Sequence, residues 1–331
     1  MRAAVLEQFG HPLQMREVPI PHPAAGQVLI QITASGVCFT DLKVGERLAA
    51  SLPLIPGHEP VGVVAEVGDG VSSVEPGQRV CVHAGSSCGH CAACRAQHDE
   101  ACLQNRAGFA GMGRDGGYAE YMVAPADHVI ALPEGLDFAE AAPLVCAGLT
   151  TFAAFRNAGL RNGQRAAVVG IGGLGHLAIS IGVALGGQIY AVTSSPGKAA
   201  DAAARGAVFT GSAEAVADQL GQDGGAHVML NTVDNPEPMS QLLPALATQA
   251  RIVLAAGSGR ALPIAPDQLI GQQLRVMGTF FGSKVDLRDL LQLAVAHGIR
   301  PQIERYRLDD VNTVHRRLRD NRIRYRAVLE F

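Results

Sequence analysis

The sequence predicts an α/β protein in two parts, a mainly β domain followed by a domain built on a doubly wound parallel sheet. Three observations carry this. Residues 1–140 are short β-rich runs between Pro/Gly turns, with little helical periodicity. Beyond them, buried apolar runs alternate with helical stretches, the pattern of βαβ units. The turn "GIGGLG" joins one such run to a helix. A chain of 331 residues also exceeds one ordinary core and suits two domains.

Taken in order, "RAAVLE", "QVLIQITASGV", "PVGVVAEVG" and "QRVCVH" read as strands, set apart by "PHPAAG", "PGHEP" and "EPGQ". "FAEAAPLVCAGLTTFAAFRNAG" reads as one helical stretch ending at Gly159. Then follow the strand "RAAVVG", an apolar helix over 174–185, the strand "QIYAV" and a helix near 198–205. "HVMLNTV", "RIVLAAG" and "LRVMGTF" are further strands. The amphipathic helix "LDDVNTVHRRLRDN" and the strand "YRAVLEF" close the chain. The expected divisions are 1–147, with a cysteine lobe at 86–102, then 148–280 and 281–331.

Composition narrows the function. With 48% hydrophobic and 17% charged residues and a net charge of −3, nothing favours nucleic acid or an anionic membrane as partner. The start "MRAAVLEQFG" lacks the features of a secretory signal, and the apolar stretch "HLAISIGVALGG" falls well short of a bilayer span. A cytoplasmic protein with reduced thiols is expected, and an odd count of seven cysteines agrees.

The glycine turn supplies Gly170, Gly172, Gly173 and Gly175 after a buried strand. In that context the first glycine makes the turn and the second lets backbone approach a pyrophosphate. The last of the motif packs helix on strand, and the helix N-terminus holds the anion. The next strand ends "AVTSSPGK", without the acidic residue that would bond a ribose 2′-hydroxyl. The hydroxyls of Thr193, Ser194 and Ser195 and the cation of Lys198 can receive a 2′-phosphate. NADP is therefore expected over NAD.

Cys88, Cys91, Cys94 and Cys102 follow the spacing C-x2-C-x2-C-x7-C. It suits one tetrahedral structural zinc, with an iron–sulfur cluster as the rival. Cys38, His58 with Glu59, and Cys146 are dispersed. Singly, each cysteine reads as a small core residue and the histidine as a turn residue. Together, two thiolates and an imidazole leave one position open on a zinc ion, as catalysis requires.

"GVCFTDL", "PGHEPVGVV", "CGHCAAC…C", "DGGYAEY", "AAPLVCAGLTT", "GIGGLGH" and the terminal "RAVL" occur in this order. In these motifs the whole chain resembles the zinc-dependent medium-chain alcohol dehydrogenases, closest to the bacterial and yeast-type tetrameric branch. The resemblance implies a GroES-like catalytic domain, a Rossmann cofactor domain and a C-terminal segment returning to the catalytic domain. It implies two zinc ions per chain, one held by Cys38, His58 and Cys146 and one by the four clustered cysteines. Glu59 would lie beside the catalytic ion, and Asp41 would bond the second ring nitrogen of His58. Thr40 would bond the substrate oxygen and begin a proton relay. Thr150 would contact the nicotinamide, and Arg326 would meet the cofactor pyrophosphate. The implied reaction is reversible hydride transfer between a primary alcohol or aldehyde and NADP or NAD, in a homo-oligomer, a tetramer or a dimer.

Some positions depart from the family pattern. Phe39 stands where the family usually has a residue touching the pyrophosphate. Glu46 replaces the histidine that often ends the relay, and serves as base or is merely solvated. "HAGSS" after "RVCV" replaces a bulky aromatic, implying a roomier pocket for larger or aromatic alcohols. His83 in that stretch reads as a surface or structural histidine in preference to a pocket-lining one, and Cys81 as a core thiol. Lys284 falls where the family often has a basic residue near the cofactor. Three rival functions remain, a zinc-independent enone or quinone reductase of the same superfamily, a polyol dehydrogenase and a non-catalytic dinucleotide sensor. The dispersed ligand set argues against the first and the last, and Cys146, where polyol dehydrogenases often carry a carboxylate, argues against the second.

Overall fold

The computed structural model describes residues 1–331 except 106, 107, 258 and 263. The chain forms two compact units. The first comprises Met1–Cys146, Ser283–Val295 and Arg300–Phe331, and the second Ala147–Gly282 with Ala296–Ile299.

In the first unit, β1 (Arg2–Val5) and β2 (Gln14–Glu17) form an antiparallel pair. β3 (Gln27–Val37), β4 (Glu59–Val67), β5 (Arg79–Val82), β6 (Tyr121–Pro125) and β7 (Val129–Ala131) build most of a seven-stranded sheet. β3 is the spine: β4 runs antiparallel along one side, and β6 covers its first half on the other.

The second unit holds β8 (Arg165–Val169), β9 (Gln188–Val192), β10 (Phe209–Gly211), β11 (Ala226–Asn231), β12 (Leu246–Leu254) and β13 (Arg275–Gly278). All pair in parallel, in the order β10-β9-β8-β11-β12-β13. The strand order reverses between β8 and β11, which is where open α/β sheets bind their ligands. Small and branched apolar residues such as Ala167, Val169 and Ile252 are buried on these strands because helices cover them.

Two further strands, β14 (Ile303–Arg307) and β15 (Arg326–Glu330), belong to the first unit. β15 pairs antiparallel with the second half of β3, Ala327 opposite Val37 and Val328 opposite Gly36. Ala327 and Leu329 thereby join a core with Val37, Tyr118, Val311 and Val314.

The helical stretch expected over 138–159 is broken. A helix at Phe138–Ala141 tightens into a 3-10 turn, Ala142–Val145, and a new helix runs from Ala147 to Ala158. Pro143 has no amide to continue the ladder, and Cys146 sits at the break with φ −120° and ψ −70°. Among the described residues, no single helix is long and apolar enough to cross a membrane.

Candidate metal and cofactor sites

Neighbouring strands of the first sheet bring one group of side chains together. Cys38 follows the end of β3, Glu59 opens β4 opposite Gly36, and Arg326 opens β15. His58 precedes β4, and Cys146 enters from the helix break. One ligand atom each of Cys38, His58, Glu59 and Cys146 lies within 4.8 Å of all the others. Gly36 makes room for this: a Cβ there would overlap Glu59 Oε2 and stand 2.9 Å from its Cδ.

Asp41 organises the group. It is the third residue of the helix Phe39–Lys43, which Cys38 caps, and its carboxylate reaches back to accept the Cys38 amide at 2.8 Å. Its Oδ1 lies 2.8 Å from His58 Nδ1, and its Oδ2 accepts the Tyr118 hydroxyl at 2.8 Å. With Nδ1–H donated to Asp41, His58 Nε2 keeps a lone pair for a cation.

The charges are balanced inside the site. A hydrogen bond from Cys146 holds the Cys38 thiol well below its ordinary range; burial opposes this and His58 reinforces it. The same bond pushes Cys146 well above that range. Burial alone would depress His58, but the charge and hydrogen bond of Asp41 raise it. Burial raises the Glu59 carboxyl, against the pull of Arg326, which forms a buried ion pair with its Oε1. Glu59 Oε2 is buried with no hydrogen-bond partner among the described residues. Two thiols, an imidazole and an orphaned carboxylate oxygen match the donor set of a zinc site, and a bound cation releases the protons these groups carry.

The second cysteine group also converges. Sγ atoms of Cys88, Cys91, Cys94 and Cys102 lie within 4.8 Å of one another. Separations of 3.5 Å (Cys91–Cys94) and 3.9 Å (Cys88–Cys94) are far beyond a disulfide bond. Amides at Cys91, Cys94 and Gln104 donate to the sulfurs of Cys88, Cys91 and Cys102. Such amides stabilise thiolates, and those of His90 and Cys91 bring Cys88 down to about 6. Four thiol ligands fit a closed tetrahedral ion.

The glycine turn has the shape of a dinucleotide cradle. Gly170 adopts φ +89°, and a Cβ there would overlap Val233 Cγ1. A Cβ on Gly172 would meet nothing within 4 Å, leaving its backbone open to a ligand. A Cβ on Gly175 would run into the carbonyl of Gly170, so helix Gly175–Ala184 packs close on the turn. These residues fit a nicotinamide dinucleotide.

Comparison with known proteins gives the family. Residues 24–134 match the alcohol dehydrogenase GroES-like domain, and residues 173–296 match the zinc-binding dehydrogenase domain. An alcohol dehydrogenase of Geobacillus stearothermophilus is 36% identical, covering 100% of this chain and 99% of the relative. The chain belongs to the zinc-type medium-chain alcohol dehydrogenases. A probable cinnamyl alcohol dehydrogenase of Oryza sativa is 33% identical over 92% of this chain and 86% of its own. A cobalt- and zinc-bound thermostable alcohol dehydrogenase from Pyrobaculum aerophilum superposes with a TM-score of 0.90 at 30% identity, over 100% of this chain and 99% of that one.

In this dehydrogenase the other sequence-derived candidates are scattered. Thr40 is half-buried, two residues after Cys38. Glu46 is exposed in the π-helical turn Val44–Leu48, outside the ligand group. Thr150 is nearly buried on the helix Ala147–Ala158 of the second unit. Thr193, Ser194 and Ser195 lie between β9 and the helix Pro196–Ala204 that carries Lys198, and Thr193 Oγ1 accepts the Ser195 amide at 3.2 Å. Gly173 lies in the turn before its helix.

The structure gives three residues partners that the sequence did not indicate. One Nη of Arg326, assigned by resemblance to the pyrophosphate, is engaged by Glu59, because strand pairing sets the arginine beside the thiol cluster. Lys284 belongs to the first unit; its ammonium reaches Asp127 Oδ2 at 2.9 Å and Ser87 Oγ at 3.1 Å, and its amide donates to Asp99. It ties down the cysteine lobe. His83 is buried against His128, with 3.3 Å between Nδ1 atoms, which agrees with the structural rather than the surface reading. Sequence reasoning missed Gly36 and the Tyr118 hydroxyl. "SGVC" and "DGGYAEY" contain them, but only register and packing bring them to the site.

Proposed function

We propose that this dehydrogenase interconverts bulky or aromatic primary alcohols and their aldehydes, with NADP favoured over NAD and two zinc ions per chain. The convergence of Cys38, His58, Glu59 and Cys146 from distant segments carries the reading. Cys38, His58 and Cys146 would hold the catalytic ion; Cys88, Cys91, Cys94 and Cys102 would hold the structural one. When bound, zinc supplies Lewis-acid polarisation of the substrate oxygen, and the nicotinamide donates or accepts hydride. The chain's own part is placement and proton handling. Asp41 keeps the proton of His58 on Nδ1, turning Nε2 towards the ligand group. Glu59, balanced by Arg326, offers a further oxygen beside the thiols during ligand exchange. Thr40 takes the hydroxyl proton outward. From there either the exposed Glu46 serves as base, or the proton leaves through water with Glu46 merely solvated. Thr150 positions the nicotinamide, and Arg326 turns its free donor capacity to the pyrophosphate.

Preference for NADP rests on Thr193, Ser194, Ser195 and Lys198 and the missing carboxylate after β9. The small residues Ala84 to Ser87 support the larger substrates, as does the cinnamyl alcohol relative. A homo-oligomer in the cytoplasm completes the proposal. The test is reduced-nicotinamide absorbance with benzyl alcohol or benzaldehyde, crossing NAD(H) with NADP(H), with and without a chelator. Chelator-sensitive turnover, faster with NADP(H), is expected. Turnover surviving complete zinc removal would move the reading to the zinc-independent reductases.

A further inference from the structure

Asp41 must present Oδ1 to His58, yet nothing in its own side chain fixes the plane of the carboxylate. Rotation about Cβ–Cγ is a soft torsion with broad minima. The plane is set by donors, and the described residues supply three from separate segments: Cys38 N and Tyr118 Oη on Oδ2, and His58 Nδ1 at Oδ1, each at 2.8 Å. Two donors on one oxygen pin that end and aim the other.

Tyr118 is itself held from every side. Its amide donates to Pro56 at 3.0 Å and its carbonyl accepts from Ala4 at 2.9 Å. The fully buried ring lies over Gly57, where a Cβ would stand 2.7 Å from Cε1, and the His315 ring packs with centroids 6.1 Å apart. Gly57 adjoins His58, so the tyrosine and the imidazole are built onto one turn. The hydroxyl hydrogen bond to the Asp41 carboxylate is charge-assisted and buried, where such bonds are strongest. A phenylalanine would fill the same space without reaching Asp41.

We propose that Tyr118 is a positioning residue of the metal site: its hydroxyl fixes the Asp41 carboxylate, which in turn fixes the His58 imidazole for its cation. The inference rests on reading Cys38, His58 and Cys146 as a metal site. Its test is cobalt(II) titration of metal-stripped wild type and Tyr118→Phe against a competing chelator. The visible d–d bands report the site, and Cys38→Ser marks which signal belongs to it. Partners behind a metal-bound histidine typically account for about ten- to a hundredfold in affinity. About tenfold weaker cobalt binding at the Cys38 site is expected in Tyr118→Phe, with altered band positions and unchanged binding at the four-cysteine lobe. Equal affinity within about twofold and superimposable spectra would overturn the inference. So would an equal loss at both sites, which would mean general damage to the fold. A wild type that shows no signal lost in Cys38→Ser would instead refute the metal reading itself.

Discussion

Replacing Gly36 with alanine tests the geometry of the thiol site without touching a ligand. Gly36 pairs with Glu59 across β3 and β4, and the three atoms nearest to an added Cβ all belong to Glu59. The carboxylate has no escape. It is fully buried and holds the guanidinium of Arg326, itself buried. If the strands move apart, the overpacking costs about 1–3 kcal/mol. If Glu59 swings away, the buried pair breaks and the cost is about 3–5 kcal/mol. A loss near 3 kcal/mol corresponds to a midpoint lowered by about 6–12 °C for a unit of this size. Thermal unfolding followed by circular dichroism would read it. The decisive comparison is the same change in a Glu59→Ala background, where the overlap with Oε2 and Cδ is gone and only the Cβ at position 59, 3.1 Å away, stays close. There Gly36→Ala should cost far less than in the wild-type background, since the remaining close contact is partly offset by the roughly 0.5–1 kcal/mol of chain entropy that alanine saves in a strand. An unchanged midpoint in the wild-type background, or the same penalty in both, would refute the packing argument.

Other outcomes follow from the same structure. Lys284→Met removes the ammonium from Ser87 and Asp127 beside the cysteine lobe, so a chelator should strip metal from the lobe faster with the Cys38 site unaffected, read by chromophoric chelator kinetics. Burial pushes the His128 imidazole down to about 3, outweighing the opposing charge of Asp127. The folded chain refuses a proton that the unfolded chain takes up below about pH 6.5. Stability from this source is intact above that pH and declines by up to about 1.4 kcal/mol per unit as pH falls towards about 3; denaturant titrations at pH 7 and 5 should show the decline, blunted in His128→Gln. Lys198→Ala should raise KM for NADP about tenfold or more and leave NAD nearly unchanged, the range expected for losing a hydrogen bond to a charged group; equal effects on both cofactors would refute the phosphate reading.

Much of this enzyme is legible in the order of its residues. The alternation of buried strands and helices, the glycine turn after β8 and the spacing from Cys88 to Cys102 are local patterns, and local patterns survive being read one dimension at a time. The dispersed candidate ligands are legible only in company, because Cys38, His58 and Cys146 are each unremarkable among their sequence neighbours. What tertiary structure alone decided is register and burial. One residue of slip between β3 and β4 would move Gly36 from under Glu59, and nothing in "SGVC" records that pairing. The Glu59–Arg326 pair joins residues from β4 and β15, strands that meet only through β3. Lys284, at a position where the family often has a basic residue near the cofactor, bonds Ser87 and Asp127 because residues 283–295 belong to the first unit. The break at Cys146 depends on Pro143 within a stretch whose composition favours unbroken helix. Side-chain chemistry can be read from a sequence because it belongs to single residues. Its partners cannot, because a buried charge or hydroxyl is matched by whatever the fold brings against it.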